Sequence, residues 1–403
     1  MSADQQAEQE QQDWPLSLEE YARYGRQMIM PEWGLGGELQ GRDGKLMSGQ
    51  LAVRNARVAV VGAGGLGCPV LQYIVGAGVG EVTVIDHDTV SASNLHRQVL
   101  HTTERVGMNK ALSACIALKA INPHPSLDPV AEPITPTNAI TLLRDHDLVL
   151  DCTDRPYTRY LINDACVRLS LPLVSGAALG AAGQWAVYGG SPEGTKRACY
   201  RCLWPKPGPS SRCDEAGVWG PVTGMVGSGM AAEALRLLTS NGGGKVALHI
   251  LHMGGSPMVR TVGMRPASAK CVACGPSATL TDNLESEDYA ALCGETAPLP
   301  EVDRLTVQDL RAVASLPEVV VVDTRPPHEY RICSLPNTAN IPLASVLASP
   351  ESVPSGRAIF LCRRGNDSQL AAAALRQLGR DATDVRGGLV AWSREIDPRF
   401  PLY

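Results

Sequence analysis

VAVVGAGGLG, residues 58–67, runs four apolar strand-forming residues into a glycine turn, Gly62-Ala63-Gly64-Gly65-Leu66-Gly67, and an apolar helix is predicted over 69–75. This order of strand, turn and helix opens a nucleotide-binding α/β domain. The first glycine permits a tight turn, the second lets backbone N–H groups approach a phosphate, and the third lets the helix sit close to its strand. The helix N-terminus then favours negative charge. NAD and FAD are the commonest ligands of such a turn, so the surrounding residues must discriminate. One competing reading falls at once. Residues 58–80 carry no charge and are long enough to span a bilayer, but seven of them are glycine and Pro69 interrupts them. They read as buried strand, turn and helix, and no membrane partner is expected.

The 403 residues suffice for two or three domains with cores of their own. At 44% hydrophobic and 19% charged the chain is globular, and its net charge of −5 predicts no direct nucleic-acid binding. Residues 1–20 begin MSADQQAEQEQQDW, acidic and glutamine-rich without an apolar core. They fit neither a signal nor a transit peptide and are predicted to be disordered. Twelve cysteines without a secretory signal point to the cytoplasm, where thiols bind metal or do chemistry.

Outward from the glycine turn, a second strand over 81–85 ends in Asp86, 19 residues past Gly67, where a ribose hydroxyl is held in NAD and ATP enzymes alike. The next stretch discriminates. Ser93-Asn94-Leu95-His96-Arg97-Gln98 follows, and Gly107-Met108-Asn109-Lys110 opens a helix to about residue 120. Arg97 and Lys110 would set two cations beside the phosphate site, as a triphosphate losing pyrophosphate requires. Taken singly, each also fits a solvated side chain. Residues 123–136 hold five prolines and read as a linker or short edge strand. A buried strand over 148–150 leads to Asp151-Cys152-Thr153-Asp154, on the sheet edge where ligands bind. Asp154 could hold Mg²⁺ or cap the helix predicted over 157–168. Upstream, 21–33 reads as a helix ending near Pro31, and 34–50 as a connection.

The glycine turn, the D-x-D after strand two, SNLHRQ, the G-x-x-K helix start and DCTD, in this order, resemble the MoeB/ThiF and ubiquitin-activating-enzyme adenylation domain over 21–275. The resemblance implies a Rossmann-like fold and adenylation by ATP of the C-terminal glycine of a ubiquitin-like protein. It implies that Asp86 holds the ribose, that Asn94, Arg97 and Lys110 contact phosphates, and that Asp154 holds Mg²⁺. In YGRQ it implies that Arg26 reaches the ATP of a neighbouring subunit, hence a homodimer. Arg155 stands where the family often has asparagine.

Cys199-x₂-Cys202 and Cys271-x₂-Cys274 are two hooks suited to a closed tetrahedral Zn²⁺ site that staples distant segments. Between them, residues 204–220 form a Pro/Gly/Ser-rich loop carrying Cys213 beside Arg212, which would favour a thiolate. An incidental cysteine is the alternative from the residues alone. The family resemblance implies a Cys213 that attacks the acyl-adenylate or forms a mixed disulfide. A helix is predicted over 222–238, and residues 276–300 read as a linker.

From residue 301 the pattern restarts. A helix (307–314), a strand (319–323), a turn with Asn340-Ile341-Pro342 and a strand (358–361) lead to Cys362-Arg-Arg-Gly-Asn-Asp367-Ser368 and an alanine-rich helix over 369–378. A cysteine between a strand end and a helix start meets backbone N–H groups, which predicts a lowered thiol pKa. A Cys-x₅-Arg phosphatase needs arginine where this chain has Ser368, so phosphate-ester cleavage is excluded. VVDTRPPHEY, TANIP, CRRGNDS and RGGLVAW together resemble a rhodanese domain over 301–403. This implies a persulfide on Cys362, with Arg363 and Arg364 nearby and Asp367 at the mouth.

Both domains on one chain resemble the eukaryotic family that adenylates and sulfurates molybdopterin synthase and the ubiquitin-related modifier. The resemblance implies that a sulfur-carrier protein ending in Gly-Gly becomes a thiocarboxylate, for tRNA wobble-uridine 2-thiolation, molybdopterin synthesis or both. A cysteine desulfurase or another rhodanese would supply the persulfide. The alternative is activation for protein conjugation through a thioester. A nicotinamide oxidoreductase would leave Arg97, Lys110 and the four hook cysteines without a role.

Overall fold

The computed structural model describes residues 15–30, 33, 39–40, 46–47, 49–190, 197–207, 217–239, 246–280, 283–292 and 299–402. They form two compact units divided between residues 293 and 294.

The first unit is built on an eight-stranded sheet. Its parallel half comprises β1 (Arg57–Val61), β2 (Glu81–Ile85), β3 (Ser126–Val130), β4 (Leu148–Asp151) and β5 (Pro172–Leu179), in spatial order β3-β2-β1-β4-β5. Strands covered on both faces read as unbroken apolar runs; the last four residues of β1 and β2 and all of β4 are buried accordingly. The order reverses direction at β1, so the loops after β1 and β4 face each other across a topological switch point.

Beyond β5 the sheet continues antiparallel through β6 (Ala182–Gly189), β7 (Ala247–His252) and β8 (Val259–Gly263). The β5–β6 hairpin escapes sequence reading because glycines and alanines interrupt its apolar pattern. The helix Gly220–Thr239 lies on it so closely that a Cβ on Gly176 would strike Met230, and one on Gly183 would strike Val226. Packing between helix and sheet, rather than β-propensity, selected these strands.

The helix carrying Arg26 spans Leu18–Met28, starting three residues ahead of the sequence expectation. A capping box explains the shift: Ser17 and Glu20 satisfy each other's backbone N–H groups. Glu20 also pairs with Arg54 at 2.8 Å, and buried Tyr24 accepts a hydrogen bond from Asn122 Nδ2 at 2.8 Å. Arg26 lies exposed in the last turn. Of residues 1–20, expected to be disordered, 15–20 are ordered instead, with Leu16 buried and Leu18–Glu20 forming the capped first turn of this helix. Residues 1–14 and most of the expected connection over 34–50 lie outside the described residues.

Part of the expected linker is not a free connection. Leu284 and Tyr289 are buried against the helix Pro156–Leu169, and Tyr289 Oη donates to Asp164 Oδ2 at 3.0 Å. Asp164 is itself clamped by Arg201, Nη2 to Oδ2 2.7 Å and Nε to Oδ1 2.9 Å. Two apolar anchors and one buried ion pair suffice where periodicity is missing. Arg201→Met would strand Asp164 as an unpaired buried charge, and a loss of roughly 3 kcal/mol is expected. Urea unfolding would measure it, and limited proteolysis should then cut within 283–292.

The second unit has a four-stranded parallel sheet in the order Ala339–Asn340, Val319–Asp323, Arg357–Leu361, Ala382–Asp384. The strand Arg357–Leu361 is central. Its Ala358 and Phe360 join Leu375 on one face, while Ile359 and Leu361 join Leu389 on the other. The period of two buries both faces, and the strand delivers Cys362 at its C-terminal end.

Candidate functional site

The glycine turn and the loop after β4 touch at the switch point of the first unit. Gly62 has φ +98°, and a Cβ there would lie 2.9 Å from the carbonyl oxygen of Cys152. A Cβ on Gly67 would strike the Gly62 carbonyl, so the helix Gly67–Gly76 sits as close to its strand as the motif predicts.

Asp86 is buried at the end of β2 and ties this edge together. Its Oδ2 accepts from Ala63 N–H at 2.7 Å and its Oδ1 from Asp88 N–H at 2.9 Å. Asp88 accepts from Lys110 Nζ at 2.8 Å. Burial raises the Asp88 carboxyl, but the bond and charge of Lys110, with His87 and Arg155 beside it, outweigh that and hold it below the ordinary carboxylate range. Asp86, His87 and Asp88 lie close enough to share a cation. These engagements with backbone and Lys110 argue against that use.

The 93–98 stretch folds against the same turn. Arg97 Nη2 donates to Asn94 Oδ1 at 2.9 Å, and its Nη1 lies 2.7 Å from His96 Nε2. Gln98 is buried beside Gly64, and its Oε1 has no hydrogen-bond partner among the described residues. An orphaned buried amide oxygen suits a site that a polar ligand completes. Ser93 lies inside the short 3₁₀ turn Ala92–Asn94, and Leu95 follows as its C-cap.

Asp154 is exposed after β4. The helix behind it begins at Pro156 with Arg155 as its N-cap and no side-chain cap bond, so Asp154 is not spent as a cap. Its loop is set from below by Asp151, an acid the sequence reading left without a role. Asp151 Oδ1 accepts from Thr153 N–H and hydroxyl at 3.0 and 2.6 Å, and Oδ2 from Ser175 at 2.7 Å and Arg159 at 3.2 Å. His101 is a second residue that sequence reading missed, being a lone histidine outside any motif. Its Nε2 bonds the Ala63 carbonyl at 2.9 Å and its Nδ1 lies 2.8 Å from Ser113 Oγ.

Burial depresses the pKa of His101 and of His146, which lies 2.9 Å from Thr83 Oγ1. The unfolded chain therefore takes up protons on these groups at a pH where the folded chain does not. Stability is expected to fall as pH drops below about 6.5, until the depressed folded values are passed. Melting temperatures between pH 7.5 and 5.5 would show this slope, and His101→Asn should flatten it.

The sulfurs of Cys199, Cys202, Cys271 and Cys274 all lie within 4.8 Å of one another, with Cys199–Cys271 at 3.5 Å and Cys202–Cys274 at 3.3 Å. A tetrahedron with Zn–S bonds of about 2.3 Å has edges of about 3.8 Å, so the four thiols are compatible with zinc. The cysteines of the first core are different. Burial pushes Cys115 up to about 11 and Cys68 up to about 12, which leaves them as inert packing. Cys213 lies outside the described residues.

In the second unit Cys362 occupies the loop between the central strand and the helix Asp367–Gln377, and is 1% exposed. Gly365 N–H donates to its sulfur at 3.1 Å. The expected depression of its pKa does not hold. Burial, then the Asp367 carboxylate, push the thiol up, and the Ser368 hydroxyl with the backbone N–H groups of Ser368 and Arg364 offset only part. A helix start stabilises an anion less than the loss of water destabilises it here.

Residues 24–273 match the ThiF family and residues 306–395 the rhodanese-like domain. The adenylyltransferase and sulfurtransferase Uba4 of Emericella nidulans is 40% identical over 438 residues, covering 97% of this chain and 88% of that protein. Uba4 of Ogataea parapolymorpha is 42% identical, covering 96% and 100%. The adenylyltransferase and sulfurtransferase MOCS3 of Drosophila grimshawi is 39% identical, covering 98% and 89%. On these matches the chain belongs to the ThiF family and, over nearly its whole length, to the adenylyltransferase and sulfurtransferase family, with a rhodanese-like domain after the ThiF region.

Proposed function

We propose that this enzyme adenylates the C-terminal glycine of a ubiquitin-like sulfur carrier ending in Gly-Gly and then converts it to a thiocarboxylate. The observation that carries the proposal is the presence on one chain of a ThiF edge and a rhodanese loop with Cys362 at its centre. A conjugating enzyme working through a Cys213 thioester would have no use for that loop.

In the first step a carboxylate oxygen of the carrier attacks the α-phosphorus of ATP, and the bond to the pyrophosphate breaks. The glycine turn (Gly62, Gly64, Gly65, Gly67) offers backbone N–H groups, and Asp86 receives the ribose. Ser93, Asn94, Leu95, His96 and Gln98 line the phosphate side. Arg97 and Lys110 stabilise the charge gathering on the departing pyrophosphate. Asp154, exposed and free of a capping role, would hold Mg²⁺, which would neutralise phosphate charge. Arg155 lies beside Asp88 and reaches the same side. Arg26 would complete the site of a second subunit in a homodimer.

In the second step the Cys362 thiolate takes the outer sulfur of a donor persulfide, such as that of a cysteine desulfurase or another rhodanese, and releases the donor thiolate. The terminal sulfur attacks the acyl-adenylate and AMP leaves, giving an acyl disulfide. Cys213 then attacks Cys362 Sγ, the thiocarboxylate departs, and two external thiols (or one dithiol) reduce the resulting disulfide, themselves leaving as a disulfide. The product would serve tRNA wobble-uridine 2-thiolation, molybdopterin synthesis or both. Among the described residues no helix is long and apolar enough to cross a membrane. A cytoplasmic location, where thiols stay reduced, would suit the cysteine chemistry proposed here.

The test is the intact mass of a Gly-Gly-ending carrier after incubation with enzyme, Mg·ATP and a sulfane-sulfur donor. A gain matching replacement of one oxygen by sulfur is expected. Pyrophosphate exchange without that gain would favour the conjugation route instead. The four hook cysteines would hold a structural Zn²⁺. One zinc per chain is expected by elemental analysis, and Cys271→Ser should lose the metal and lower the melting temperature.

A further inference from the structure

Ser368 occupies the place where a phosphatase loop would carry arginine, and it is completely buried. Its hydroxyl donates to Asp384 Oδ2 at 2.9 Å and lies 3.4 Å from Cys362 Sγ. Asp384, also fully buried, is held by Arg304, Nε to Oδ1 2.9 Å and Nη2 to Oδ2 3.0 Å. The same guanidinium donates to the Gly365 carbonyl at 2.7 Å, and Gly365 N–H points at the sulfur. A closed polar chain therefore runs from Cys362 through Ser368, Asp384 and Arg304 back to the loop around the sulfur.

A hydroxyl has one proton. While it goes to the Asp384 carboxylate, which can only accept, Ser368 offers a lone pair to the sulfur and so suits a neutral S–H. A thiolate needs the proton turned towards it. Asp384 can release it, because both its oxygens keep their bonds to Arg304.

The geometry points to Ser368 as a positioning residue for sulfur transfer, a hydroxyl switch held by Asp384 and Arg304 that donates to Asp384 beside the resting thiol and to Sγ in the attacking thiolate. This deepens the proposed sulfurtransferase reading and rests on it. The partly offsetting effect of Ser368 on the raised Cys362 thiol has the same sign. The other charges around the loop are Asp367 at the helix start, Arg363 and Arg364 on the loop, Glu301 and Arg386 outside Arg304, and the Asp323–Arg325 pair at the neighbouring strand end. All of them stay in place in the variants below.

The test follows sulfuration of Cys362 in the full chain by thiosulfate, between pH 6 and 10, from the mass of the Cys362 peptide. The Cys362 thiolate attacks the sulfane sulfur, a new S–S bond forms, and sulfite leaves with the electron pair of the broken one. Loss of one hydrogen bond to an anion is worth about one pKa unit or more. Ser368→Ala should shift the midpoint of the rate profile upward. It should be roughly tenfold slower at neutral pH and converge with the wild type on the alkaline plateau. Asp384→Asn keeps an acceptor for Ser368 but removes the negative charge, and should shift the midpoint downward. Ser368→Ala with the wild-type midpoint, or with the same loss at every pH, would overturn the switch. Failure of the wild-type Cys362 to take up sulfur would instead sink the sulfurtransferase reading itself.

Discussion

Cys362→Ser is expected to leave carrier-dependent ATP–pyrophosphate exchange within about twofold of wild type while abolishing the thiocarboxylate product. The two units have separate cores and separate sheets, so a change at the end of one central strand is expected to leave the other unit's fold intact. A serine fits the cysteine's buried place and keeps a polar atom for Gly365 N–H and Ser368, so the loop should stay intact. An alkoxide, however, carries no sulfane sulfur, and the loss should be complete rather than graded. The product mass and the exchange rate, measured on one preparation, would check both halves. Loss of exchange as well would mean that Cys362 supports the fold or the adenylation step, contrary to its place in the second unit.

Lys110→Met should show the converse pattern. Exchange is expected to fall by on the order of 10²–10³, the usual consequence of removing one donor from a charge-stabilising site. Sulfuration of Cys362 by thiosulfate should be unchanged. Stability should change by about 1 kcal/mol, because among the described residues the ion pair lost is with Asp88, whose side chain is 57% exposed, although that of Lys110 is only 8% exposed. Asp88→Asn separates two meanings of that pair. If Lys110 serves the phosphates and Asp88 merely parks it, the asparagine variant keeps most of the exchange activity. Equal damage from both variants would mean that Lys110 works by holding Asp88, and the phosphate role would fail.

Much of this was legible because several residues each have a physical job that few alternatives share. The glycines at 62 and 67 are demanded by φ and by backbone contact, and the structure places a neighbouring atom where either Cβ would go. The apolar runs of β1, β2 and β4 mark strands covered on both faces. The two C-x₂-C hooks come together across 68 intervening residues, as four thiols suited to one ion would. The helix Leu18–Met28 begins ahead of its expected start because the Ser17–Glu20 capping box sets its first turn.

What remained hidden depends on contacts between residues far apart in the chain. The β5–β6 hairpin carries no decisive sequence pattern until the helix Gly220–Thr239 is laid over it, and Gly176 and Gly183 then become a packing requirement. Residues 283–292 look like linker until Tyr289 finds Asp164. The Cys362 thiol illustrates the division most sharply. Its sequence position, between a strand end and a helix start, determined the loop and the N–H group that faces the sulfur. The sign of its pKa shift was decided first by burial, with the Asp367 carboxylate of the same loop adding to it. Desolvation is a property of the packed interior, and a local motif carries no measure of it. Sequence alone likewise set Ser368 apart from a phosphate-binding arginine, but only the tertiary structure supplied Asp384 and Arg304, from the last strand of the sheet and the segment before residue 305, to complete its bonds.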